Sequence, residues 1–147
     1  MELMDSVIKK TMNIVHSGIE KLSNLFVNDE IAKASMIIAA WVTAADGEIK
    51  DSEVEETEKY IEEAEYFKDK DKEGLKKEYL KWCNKFIKDP EDAIVYALME
   101  INSLKDTEQA LPAVQLAVKI ANADGQYSEK EQKVVTKACH YLGVCAV

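Results

Sequence analysis

Two stretches of nine residues hold the acidic groups whose spacing bears on chemistry. The first is Ala45-Asp46-Gly47-Glu48-Ile49-Lys50-Asp51-Ser52-Glu53, and the second is Ala123-Asp124-Gly125-Gln126-Tyr127-Ser128-Glu129-Lys130-Glu131. Both read Ala-Asp-Gly-x-(Ile/Tyr)-x-x-x-Glu, and each lies between an apolar run and a charged one. A carboxylate thus stands at either end of a glycine turn, twice. Such oxygen-only groups suit calcium, magnesium or manganese rather than zinc or copper. Asp46, Glu53, Asp124 and Glu131 are the candidate metal ligands, with Glu48 and Asp51 as secondary candidates.

The spacing matches the second half of an EF-hand loop, where Asp, Gly, a hydrophobe and Glu occupy positions 5, 6, 8 and 12. The first half is absent. Positions 1 and 3 fall on Val42 and Ala44 in one copy and on Ile120 and Asn122 in the other, and only Asn122 carries a side-chain oxygen. Neither loop is therefore a complete EF-hand site. Capping explains part of the pattern: glycine after Asp ends a helix in the left-handed conformation. Ser128 with Glu131 reads as a capping box, and Ser52 with Glu55 as another. Turn chemistry alone does not call for Asp before Gly and Glu seven positions later in both copies.

These corners must sit between helices. The chain has 147 residues with five Gly and two Pro, which suits helices better than the many turns of a strand-rich fold. Apolar residues recur at helical spacing from Met4 through Ile8, Met12, Val15, Ile19 and Leu22 to Phe26. His16 lies beside this stripe and Gly18 weakens its middle. A second helix starts at Asn28 or Asp29 and runs to about Ala45. Its stretch Met36–Val42 is apolar all round, the mark of a central buried helix. A third spans Glu53 to about Phe67, and a fourth, capped by Asp71, runs to about Ile87. Pro90 opens a fifth with Ala93, Ile94, Ala97, Leu98 and Ile101 on its inner face. A sixth begins near Glu108 or Leu111, and a seventh runs from Ser128 to Gly143. The reading is an all-α single domain, residues 1–147, of about seven helices. The helix–loop–helix pair of residues 29–67 recurs over 108–143.

The net charge is −9, and all 19 basic residues are Lys. Without Arg, bidentate phosphate and guanine contacts are missing, which excludes nucleic-acid binding as the main task. The acidic balance suits cations or basic partners. Asp51–Glu65 carries eight acids against one Lys, whereas Lys68–Lys88 carries eight Lys against four acids. These two segments can face different partners or each other. Cys83, Cys139 and Cys145 form an odd set without a CxxC, as expected of free thiols in a reducing compartment. Cys139, His140 and Cys145 lack a fourth zinc ligand and standard spacing. No signal peptide or membrane span is read, so the location expected is cytoplasmic. No nucleophile–base set or phosphate loop points to an enzyme.

The order of apolar helix, Ala-Asp-Gly and acidic helix, repeated in a seven-helix chain, resembles the tellurite-resistance TerB family. Ala44-Ala45-Asp46-Gly47, Asn122-Ala123-Asp124-Gly125 and the run Leu116–Ala121 carry the likeness over roughly residues 5 to 143. The resemblance implies an all-helical, non-catalytic module in tellurite and other stress resistance. It also implies binding of a divalent metal ion, calcium favoured, at Asp46, Glu53, Asp124 and Glu131. The partners implied are other Ter-type stress proteins, at a cytoplasmic or membrane-peripheral site on the inner membrane surface. The alternative is a protein–protein interaction domain that uses its acidic and basic helix faces, with structural Asp-Gly corners. Direct reaction of a cysteine with tellurite is a further chemical route.

Overall fold

A helix that is apolar all round must be covered on every side, and the fold is built to do this for one helix. The computed structural model describes residues 9–13, 15, 27–123, 125 and 127–144. Residues 9–13 and 15 are helical and mark α1, in which Thr11 and Val15 are fully buried. Met4, Ile8, His16, Gly18, Ile19, Leu22 and Phe26 of the first apolar stripe lie outside the described residues.

The central helix is α2, Asp29–Thr43. Asn28 caps it, its Oδ1 accepting the Ile31 N–H at 2.7 Å, and Asp29 and Glu30 oppose the positive end of the helix dipole. Every residue from Ala34 to Thr43 is buried. Its main neighbours are α6, Ala110–Ala121, and α4, Lys72–Lys88. Small residues on α2 and α6, among them Ala39, Ala40, Ala113 and Ala117, are wholly buried and let backbones approach. Trp41 stacks on Phe86 of α4 with ring centroids 6.1 Å apart.

The other helices follow from local signals. Asp71 caps α4 through Gly74 N–H at 3.1 Å. Pro90 stands in the first turn of α5, Pro90–Ile101, after an Asp89 cap. The start of α6 at Ala110 leaves Pro112 in the first turn, where no hydrogen bond is lost. The seventh helix, α7, runs Glu129–Leu142. It stops at Gly143, whose φ is 82° and where a Cβ would press on the Asp106 carboxylate.

One helix departs from the sequence reading. α3 spans Asp51–Glu63, starting and ending earlier than expected. Ala64 takes extended backbone, and a 3-10 turn, Glu65–Phe67, buries Phe67 completely. That burial draws the chain off the helix axis without any Gly or Pro to announce it. The acidic α3 and basic α4 face each other. Lys76 Nζ lies 2.8 Å from Glu62 and 3.2 Å from Glu73, and Lys72 Nζ donates to the Glu62 carbonyl at 2.7 Å. These bonds hold the Glu62 carboxyl below its ordinary range, although such exposed pairs add little stability.

Among the described residues there is no strand, and no helix is long and apolar enough to cross a membrane. The fold is all-α in a single domain.

Candidate functional site

The two helix pairs place their corners by the same backbone device. After α2, a 3-10 turn, Ala44–Asp46, closes with the Gly47 N–H on the Ala44 carbonyl at 2.9 Å. After α6, the Gly125 N–H closes on the Asn122 carbonyl, also at 2.9 Å. Both glycines are left-handed, at φ 87° and 79°. A Cβ at either would meet no neighbour, so glycine is there for its backbone conformation and not for room. Ile49 and Tyr127, two residues after each glycine, are half-buried against the core.

The helices pack crosswise. α3, which leaves the first corner, contacts α6, and α7, which leaves the second, contacts α2. The first corner itself touches α7. Ala44, Ala45 and Gly47 share a groove with Val134 and Lys137, about one and two turns beyond Glu131.

The glutamates at the far ends both sit at the third helical position and accept the N–H of the cap residue. Lys50 N–H reaches Glu53 Oε1 at 3.1 Å, and Ser128 N–H reaches Glu131 Oε1 at 2.7 Å. Only the second corner completes the capping box, with Glu131 N–H on Ser128 Oγ at 3.2 Å. A Lys50 ammonium has no lone pair to return the bond. The expected Ser52–Glu55 box does not form, because α3 begins at Asp51 and Ser52 already lies inside the first turn.

Burial separates the two. Glu131 is only 6 % exposed, whereas Glu53 is half-buried and Asp46, Glu48 and Asp51 are exposed. Asp124 lies outside the described residues. Among the described residues no group of three His, Cys, Asp or Glu is placed to hold a metal ion. Asp46, Glu53 and Glu131 therefore do not make a ligand group among themselves, and the four-carboxylate reading turns on Asp124.

One oxygen was left out of that ligand set. Asn122 Oδ1 is buried and, among the described residues, has no hydrogen-bond partner. It stands two positions before Asp124, at the third position of the loop numbering. The signal was its side-chain oxygen, the single one among the four residues at positions 1 and 3. Leaving such an acceptor unsatisfied costs about 1–3 kcal/mol.

Beneath each corner lies a tyrosine. Tyr79 of α4 donates to Thr43 Oγ1 at 3.1 Å, and Thr43 donates to the Ala39 carbonyl at 2.9 Å. The Tyr79 hydroxyl thus joins α4 to the last turn of α2, and the buried Thr57 of α3 lies on the same side of the core. Tyr127 meets Met12 Sδ at 3.0 Å and ties the second corner to α1. Burial raises both phenols above the ordinary tyrosine range.

The two described thiols are buried. Cys83 is buried, and desolvation pushes it from 9.0 up to about 12, which keeps it a neutral thiol. Cys139 is fully buried while the adjacent His140 is exposed, so the two do not share a face. Cys145 lies outside the described residues.

Residues 32–146 match the family model described as tellurite resistance protein TerB, a span that takes in both corners and helices α3 to α7 whole. No curated protein and no solved structure matches the chain.

Proposed function

The chain belongs to the TerB family, and from that premise we propose that it is a non-catalytic module that binds a divalent cation in tellurite and related stress resistance. Calcium is the favoured ion, since every candidate ligand is an oxygen. The observation that carries the reading is the Asn122 oxygen, buried and without a partner among the described residues, at the corner that also bears Asp124.

The chain's residues divide the work. Asp46 and Asp124 supply loop carboxylates, and Asn122 a neutral oxygen. Glu53 and Glu131 each give one oxygen to the helix cap at the far end of a corner. Gly47 and Gly125 turn the backbone at φ values that a side chain resists. A bound cation would supply positive charge among these carboxylates and so offset their repulsion. Partners are sought among other Ter-type stress proteins, at the inner membrane surface or in the cytoplasm.

The test is calorimetric titration of metal-stripped protein with calcium, magnesium, manganese and zinc. Saturable binding of calcium or manganese is expected, weakened in Asp124→Asn and in Asn122→Leu. Absence of binding for all four ions would sink the proposal and leave the corners as caps.

A further inference from the structure

The outer face of α5 is apolar and exposed. Val95 is 56 % exposed, Tyr96 55 % and Met99 66 %, at spacings that make them neighbours on one helix surface. The half-buried Ile94 and Leu98 flank Val95 and lead into a groove of about 320 Å³ whose wall includes Ile87, Pro90 and Ile94. Scattered apolar residues on a surface are ordinary; a contiguous patch on one helix marks an interaction site.

The charges around the patch define what fits it. α5 carries Glu91, Asp92 and Glu100 and no basic residue, and the one charged residue lining the groove beside it is Lys137 of α7. Asp92 is exposed one turn from Val95 and Tyr96, and Glu91 is exposed one turn from Val95. Glu100 pairs with Lys33 at 3.4 Å. An anionic lipid surface would meet these carboxylates as like charges. A second copy placed by twofold symmetry would set each acidic rim against itself. A helix with lysines flanking an apolar stripe meets neither obstacle, and the net charge of −9 draws it in. Met99 adds an adaptable, polarisable contact.

We propose that the Val95–Tyr96–Met99 face of α5 docks a basic amphipathic helix of a partner protein. The exposed face lies on α5, while the groove beside it is the one that Ala44, Ala45 and Gly47 of the first corner also line, so titration in chelator and in calcium tells docking from metal binding.

The test uses a synthetic helical peptide of leucine and lysine and its leucine–glutamate counterpart, titrated into the full chain in chelator and again in calcium. The lysine peptide is expected to bind and the glutamate peptide to fail. Val95→Ser with Met99→Ser, both exposed and so expected to melt like the parent, weakens binding by roughly tenfold. Glu91→Lys with Asp92→Lys weakens it by a similar, salt-dependent factor. Equal binding by parent and Val95→Ser/Met99→Ser would overturn the proposal. So would self-association abolished by that variant, which assigns the face to a second copy, or its loss of binding to phosphatidylserine vesicles, which assigns it to a membrane.

Discussion

The two Asp-Gly corners share a left-handed glycine closed by the same hydrogen bond and differ in how they are anchored. At the second, Glu131 is buried and reciprocates with Ser128, and Tyr127 ties the loop to α1. At the first, Glu53 caps a lysine that cannot return the bond, the loop carboxylates are exposed, and the anchor lies beneath it in Tyr79. The difference teaches that the same short motif can be held by its own caps or by the core under it. The second corner is the better capped half, and it also holds the Asn122 oxygen that has no partner among the described residues.

The contrast can be broken at several points. The largest effect is expected from Glu131→Ala, which strands the Ser128 N–H and opens a packed site; a loss of about 2–3 kcal/mol in urea unfolding is predicted. Glu53→Ala should cost only about 0.5 kcal/mol, and equal losses would refute the asymmetry. Tyr79→Phe comes next. It removes the hydroxyl that joins α4 to Thr43, at about 1.5 kcal/mol, and faster amide exchange should appear at the first corner but not at the second.

Gly47→Ala and Gly125→Ala should each cost about 1 kcal/mol, since both need a left-handed residue and neither lacks space. A large difference between them would mean that one corner does more than turn the chain. The smallest effect runs the other way: Lys50→Ser completes the first capping box and should stabilise by about 0.5 kcal/mol.

Alkaline pH probes the core under the first corner. The Cys83 thiol is raised from 9.0 to about 12 by burial, so above 9.0 the unfolded chain releases a proton that the folded chain retains. Stability is complete below 9.0 and falls as pH rises towards 12. Tyr60, raised from 10.0 to about 12, adds to the loss from 10.0 upward. Cys83→Ala should delay the onset of the decline by about one pH unit, to where the tyrosines begin.

Much of the frame was legible because its signals are local. Asn28, Asp71, Pro90, Ser128, Gly47 and Gly143 announce helix ends by side-chain or backbone chemistry that needs no tertiary partner. Met36–Val42 announced the central helix by being apolar all round. The start of α3 was hidden because a lysine cap has no side-chain signature and Ser52 imitates one. Its end was hidden because the burial of Phe67, a tertiary event, stops the helix. Asn122 was passed over because the loop numbering drew attention to carboxylates, and burial of its oxygen is invisible in sequence. The outer face of α5 escaped for a related reason: Ala93, Ala97 and Ile101 sufficed to define an inner face, and nothing in the spacing told that Val95, Tyr96 and Met99 stay uncovered.

The central claim, that the two corners bind a divalent cation, meets its most direct test in thermal melting. Metal-stripped protein is melted with and without calcium, magnesium, manganese or zinc, alongside the Asp46→Ala/Asp124→Ala double variant. The account predicts a rise of roughly 4 °C or more with calcium or manganese, absent in the double variant. An unchanged melting temperature with every ion, or the same rise in parent and double variant, would contradict it.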